Sequence, residues 1–170
     1  MRREQKIVAI GAASGIVSMA TAMYLLSSGL PEPAGMNAAG DRIAYASGWG
    51  AFAALPLFAM VAAIGNARFL SEAIDPTLGA ESRTMIVNGR VADNTLQQFA
   101  LYFAGSLGLA ANLPPERMTI VAAAAIVFVV ARLCFWIGYR IEPLYRAFGF
   151  AATAYLNLGL LAGAVWLALS

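Results

Sequence analysis

Three short stretches of this sequence hold polar side chains among apolar neighbours. The first contains Arg90, Asn94, Gln97 and Gln98; Arg90, Asn94 and Gln97 fall at i, i+4 and i+7 and so share one helical face. The second is Arg132, Phe135 and Tyr139, spaced i, i+3 and i+7, another single stripe. The third runs from Arg140 to Arg146 and includes Glu142, Pro143 and Tyr145. Guanidinium, amide and phenol groups gathered this way form a basic pocket for a small polar anion beside an apolar compartment. Each residue also has a purely structural use. Arg90 can anchor a helix end, Asn94 can cap one, the glutamines can bond neighbouring helices, and Arg132 can reach for the interface. Arg146 opens a helix, where the dipole is already positive; a bound anion would offset that.

Other chemistries are excluded. The chain has no His, which removes Ser-His-Asp triads and most zinc sites, so no metal is expected. The single cysteine, Cys134, permits no internal disulfide and reads as a small packing residue. A net charge of +2 is too small to attract nucleic acid.

The elements that must position these groups are membrane helices. The 170 residues are 61% hydrophobic and 12% charged, against about 45–50% and about 25% in soluble domains. Five runs are long and apolar enough to cross the bilayer: Ile7–Leu26, Tyr45–Asn66, Asn94–Asn112, Met118–Gly138 and Phe148–Leu169. Strict apolar–polar alternation, the mark of a membrane barrel, is missing. Proline and glycine punctuate the connections at Pro31, Pro33, Pro76, Gly79, Pro114, Pro115 and Pro143. The expected fold is therefore all-α and integral to the membrane, with five spanning helices.

The basic residues orient it. With the N-terminus inside, the inner side holds Arg2, Arg3, Lys6, Arg68, Arg83, Arg90, Arg140 and Arg146, and the outer side only Arg42 and Arg117. This bias predicts a cytoplasmic N-terminus and a C-terminus on the far side. The first apolar run is too long for the core of a signal peptide and is expected to be retained. The pairs Gly11/Gly15 and Gly159/Gly163 permit close helix approach but specify no partner.

Two stretches resemble the membrane-associated proteins in eicosanoid and glutathione metabolism, the MAPEG family. Arg90-Val-Ala-Asp-Asn94-Thr-Leu-Gln97-Gln98 is similar to the family's Arg-x-x-x-Asn-x-x-Glu signature. Ala131-Arg132-Leu-Cys-Phe135-Trp-Ile-Gly138-Tyr139, followed by Pro143, Arg146 and Gly149-Phe150, resembles the bacterial form of the family's second block. The resemblance covers residues 46–170 and leaves residues 1–45 as a leader, an added helix and an outer loop. It implies four membrane helices per chain, a homotrimer, and glutathione bound as co-substrate between subunits at the cytosolic end.

By that resemblance, Arg90 and Asn94 would hold glutathione's carboxylate and backbone. Gln97, Gln98, Arg132 and Tyr139 would complete the binding site, with Arg68 as a looser match. Arg146 would be the catalytic cation that stabilises the thiolate. The implied function is a glutathione transferase or peroxidase of a bacterial inner membrane, acting on a small apolar substrate from the lipid bilayer. A non-enzymatic lipid-binding or assembly protein of the same fold is the alternative, and a small transporter a third. Two departures bear on the choice. The signature Glu is Gln97, and the tyrosine of some members is Phe135.

Overall fold

The computed structural model describes residues 2–170. Five long helices follow one another: α1 (Arg3–Gly29), α2 (Ala39–Phe69), α3 (Arg83–Asn112), α4 (Thr119–Ile141) and α5 (Arg146–Leu169). No strand is present among the described residues. The helices have 27, 31, 30, 23 and 24 residues. At about 1.5 Å per residue, each is long enough for a hydrocarbon core of about 30 Å.

Helices α2, α3, α5 and α4 pack in that order around a ring, and α1 lies outside it against α4 and α5. The interior is built on Tyr102, Phe128, Leu109, Val121, Leu156 and Leu160, with the Tyr102 and Phe128 rings 4.6 Å apart. Gly15 is the one residue that α1 buries.

Four helices, all but α3, are apolar enough over 18 residues to cross a membrane by composition. Helix α3 is long enough but carries polar residues, and it turns Thr95, Gln98 and Ser106 inward. It also starts at Arg83, three turns before the charge-free run that predicts it from Asn94. The reason is local: Ser82 Oγ accepts a hydrogen bond from Met85 N at 3.3 Å, and Met85, Asn88 and Val91 bury one face while Arg83, Arg90 and Asp93 stay outside. A span search that stops at each charge misses such an amphipathic extension.

Two polar ties hold the far end of the bundle. Arg42, in the first turn of α2, donates Nε to Ala110 O at 3.1 Å and Nη2 to Ala111 O at 2.9 Å, the open carbonyls of α3. Its Nη1 holds Met36 O and Asn37 O in the preceding loop. A cation there also meets the negative end of the helix dipole. Thr119 Oγ1 donates to Ser27 O at 2.9 Å and fastens α1 to the start of α4.

At the opposite end, the α2–α3 connection makes two short 3-10 turns, Glu72–Ile74 and Pro76–Leu78. Asp75 accepts hydrogen bonds from the hydroxyl and the amide of Thr77, which hold its carboxyl below the usual range. Gly79 then turns the chain with φ of 67°, a left-handed conformation that favours glycine.

Small residues set the closest helix contacts. A Cβ built on Gly149 would collide with Ala131 O and Phe135 N of α4, and one on Gly15 with the Phe148 carbonyl. The two candidate pairs therefore part company. Gly11 and Gly15 both face α5, whereas Gly159 has open space around it and only Gly163 meets a neighbour, Leu109.

Candidate functional site

Arg132 stands two turns inside α4 and is 0% exposed. Its fork reaches two other helices. Nη1 donates to Asn94 Oδ1 of α3 at 3.0 Å, and Nη2 donates to Gly149 O at 3.1 Å and Thr153 Oγ1 at 2.5 Å on α5. The Thr153 hydroxyl in turn donates a hydrogen bond to Gly149 O at 2.6 Å. The guanidinium also sits over the Phe135 ring, 4.3 Å from its centroid. No carboxylate pairs with it among the described residues. A buried cation in lipid is costly, and here neutral acceptors and an aromatic face solvate it.

The other amides of α3 follow the same pattern. Asn157 Nδ2 of α5 donates to Gln98 Oε1 at 2.8 Å and Gln98 O at 2.9 Å. Trp136 Nε1 of α4 donates to Asn88 Oδ1 at 2.9 Å. Hydrogen bonds thus cross-link α3, α4 and α5 from the end carrying the α2–α3 and α4–α5 connections to the middle of the bundle.

The candidate residues divide into two groups. Arg132, Asn94 and Gln98 are brought together as bundle-internal contacts. Arg90 and Gln97 face outward on α3, exposed on this chain, with Asn94 half-buried at the boundary. Arg68 stands apart: its Nε and Nη2 both bond Glu81 Oε1 across the α2–α3 connection.

Tyr139 and Arg146 lie together at the α4–α5 turn. The Arg146 guanidinium is 5.1 Å from the Tyr139 ring centroid, and its Nη1 donates to Pro143 O at 3.3 Å. Arg146 is exposed and has no carboxylate partner among the described residues. Two recesses share the turn. One, of about 400 Å³, is apolar and runs between α1 and α5; Val8, Ala12, Phe150, Ala151 and Tyr155 line it, with Arg146 as its only charge. The other, of about 280 Å³, is polar and lined by Arg83, Thr84, Tyr139 and Arg140. Pro143 lines both.

Sequence reasoning did not single out Asn88, Thr153 or Arg83 as site residues. Thr153 lies four residues after Gly149, on the same helical face, and that spacing is the one sequence signal that could have found it. Asn88 and Arg83 lie outside the charge-free run from which α3 was predicted.

The sequence pattern of the MAPEG family matches residues 46–166. The match takes in most of α2 through α5 and leaves out α1. Among curated proteins, the chain is 26% identical to transmembrane protein 79 of Mus musculus over 126 residues, 74% of this chain and 31% of that protein. It is 24% identical to transmembrane protein 79 of Bos taurus over 113 residues, 66% of this chain and 28% of that protein. The chain spans about a third of the length of these curated relatives. No solved structure matches.

Proposed function

This chain belongs to the MAPEG family, and from that premise we propose that it binds glutathione at the α4–α5 turn and activates it as a thiolate. The thiolate then attacks an apolar electrophile that enters from the bilayer. One observation carries the reading: Arg146 is an unpaired cation on the lip of an apolar groove, with a basic recess on the other side of Pro143. The peptide part of the ligand needs cations and donors, the electrophile needs an apolar lodging, and the sulfur must lie where the two meet. Arg146 and the N-terminus of α5 both favour negative charge there. The thiol proton leaves to water at the open mouth. The sulfur then forms its bond to the electrophilic atom as that atom's bond to its leaving group breaks, and the leaving group departs with the electron pair to water at the same mouth.

Equilibrium titration of glutathione into the detergent-purified protein tests this. Binding should be accompanied by ultraviolet absorbance of the thiolate near neutral pH. Absence of binding, or a bound thiol that titrates like free glutathione, overturns the reading. A second reading, a non-catalytic lipid-binding protein of the same fold, draws support from Gln97, which puts a neutral amide where the signature carries a carboxylate.

Arg90, Asp93 and Gln97 form a polar outward stripe on α3. Such a stripe is costly against lipid, which supports the homotrimer implied by the family, a neighbouring chain covering the stripe. Gln97→Glu should then tighten glutathione binding about two- to tenfold, because a carboxylate meets the ligand's ammonium with a charge-assisted bond. Calorimetry on both proteins decides. An intact mutant that binds no better than wild type places the ammonium elsewhere.

The bundle end that carries the site also carries eight of the eleven basic residues. We place that end in the cytoplasm, in a multi-pass protein of a bacterial inner membrane. Reporter fusions should then locate the N-terminus inside and the C-terminus outside. A cytoplasmic C-terminus refutes this topology.

A further inference from the structure

An arginine side chain donates hydrogen bonds and accepts none. The Asn94 atom 3.0 Å from Arg132 Nη1 is therefore the amide oxygen, and Nδ2, on the opposite branch of Cγ, must point away from that guanidinium nitrogen. That Nδ2 makes no hydrogen bond among the described residues and is open to the outside, whereas the unpartnered Nε of Arg132 is sealed in. The direction of the whole network is fixed in the same way. Nη2 of Arg132 donates to Thr153 and Gly149, and Thr153 donates onward to Gly149. Nothing in it can turn the Asn94 amide around without leaving a guanidinium N–H unpaired in the bundle interior, a costly state.

We infer that Arg132 is a positioning residue, never touching the ligand, which locks the Asn94 amide with both N–H bonds outward. At that point the site takes a ligand that presents a hydrogen-bond acceptor, a carboxylate or a peptide carbonyl, and rejects an ammonium. Asn94 thus fixes the direction in which a zwitterionic peptide can lie along α3, with its acceptor toward Asn94 and its ammonium toward Gln97. The inference takes the ligand's identity from the glutathione reading, but the orientation of the amide is independent of it.

Two measurements test it. In a double-mutant cycle on glutathione affinity, Asn94→Ala and Arg132→Lys should each weaken binding about tenfold, and the double variant should also lose about tenfold, because both changes remove one contact. A loss of about a hundredfold in the double variant means that Arg132 meets the ligand itself and overturns the inference. The second variant, Asn94→Asp, keeps an acceptor for Arg132 and adds a charge to it, but removes the outward donor. Its melting temperature in detergent should rise while glutathione affinity falls at least tenfold. Asn94→Asp that binds glutathione as well as wild type overturns the inference, and this variant decides alone if Arg132→Lys fails to assemble. If the wild type binds no glutathione, the functional reading falls separately. The melting temperature of Asn94→Asp then decides the amide's orientation: a rise supports it, and no change or a fall overturns it.

Discussion

Gly149→Ala should destabilise the detergent-solubilised bundle by about 3 kcal/mol, a large fraction of a typical fold's stability. The added Cβ would fall on backbone atoms of α4, Ala131 O and Phe135 N, and 2.7 Å from Phe135 Cα. Backbone cannot rotate aside as a side chain can, so α5 must move away as a unit. That movement also draws Gly149 O and Thr153 Oγ1 away from Arg132, which has no other partner for Nη2. Packing loss and an unsatisfied buried cation therefore coincide. Gly159→Ala is the matched control, since a Cβ there meets nothing within 4 Å. Thermal unfolding followed by helical signal should separate the two sharply. Equal stability of Gly149→Ala and wild type would show that the α4–α5 contact is looser than described.

Arg146→Ala should do the opposite, sparing the fold and removing turnover. The side chain is exposed, and its one hydrogen bond, 3.3 Å to Pro143 O, is long. Its place over the Tyr139 ring is worth about 0.5–1 kcal/mol at an exposed site. If it stabilises a thiolate, its loss returns the bound thiol toward the ordinary value of about 8.5. A thiol held about one to two units lower by the arginine then loses about eight- to 25-fold of its thiolate at pH 7. The sign can be checked against pH. The cation favours the charged form, so the deficit is full below the wild-type thiol's pKa and shrinks as pH rises past that of the free thiol. A deficit that persists at high pH would assign Arg146 to binding or to structure. Full activity in Arg146→Ala would remove it from the mechanism.

How much of this was legible in the sequence differs between residues. Charge-free runs locate α1, α2 and α5, because lipid demands continuous apolar surface and charge interrupts it, and α4 is located by an apolar run that resumes after Arg132. They locate only the second part of α3, because its first three turns are amphipathic and pass through charges that face outward. The helical stripes of Arg90, Asn94 and Gln97, and of Arg132, Phe135 and Tyr139, were also readable, since spacing fixes which residues share a face. What spacing does not give is which neighbour each stripe meets. Asn94 and Gln98 lie four residues apart, yet one is tied to α4 and the other to α5. Arg68 could be aligned with the site but not seen to be occupied by Glu81, since that pair depends on how the α2–α3 connection folds back. The two glycine pairs look alike in sequence, and only the packing of α5 distinguishes them.

The chain order of the partners of Arg132 has a consequence for synthesis. Asn94 is made before the arginine, but Gly149 and Thr153 belong to α5, the last helix to emerge. Until α5 enters the membrane, half of the guanidinium's fork faces lipid or a translocation channel without an acceptor. A chain ending before residue 149 leaves Nη2 of Arg132 without its acceptors two turns inside a membrane helix, and docking of the last helix supplies them.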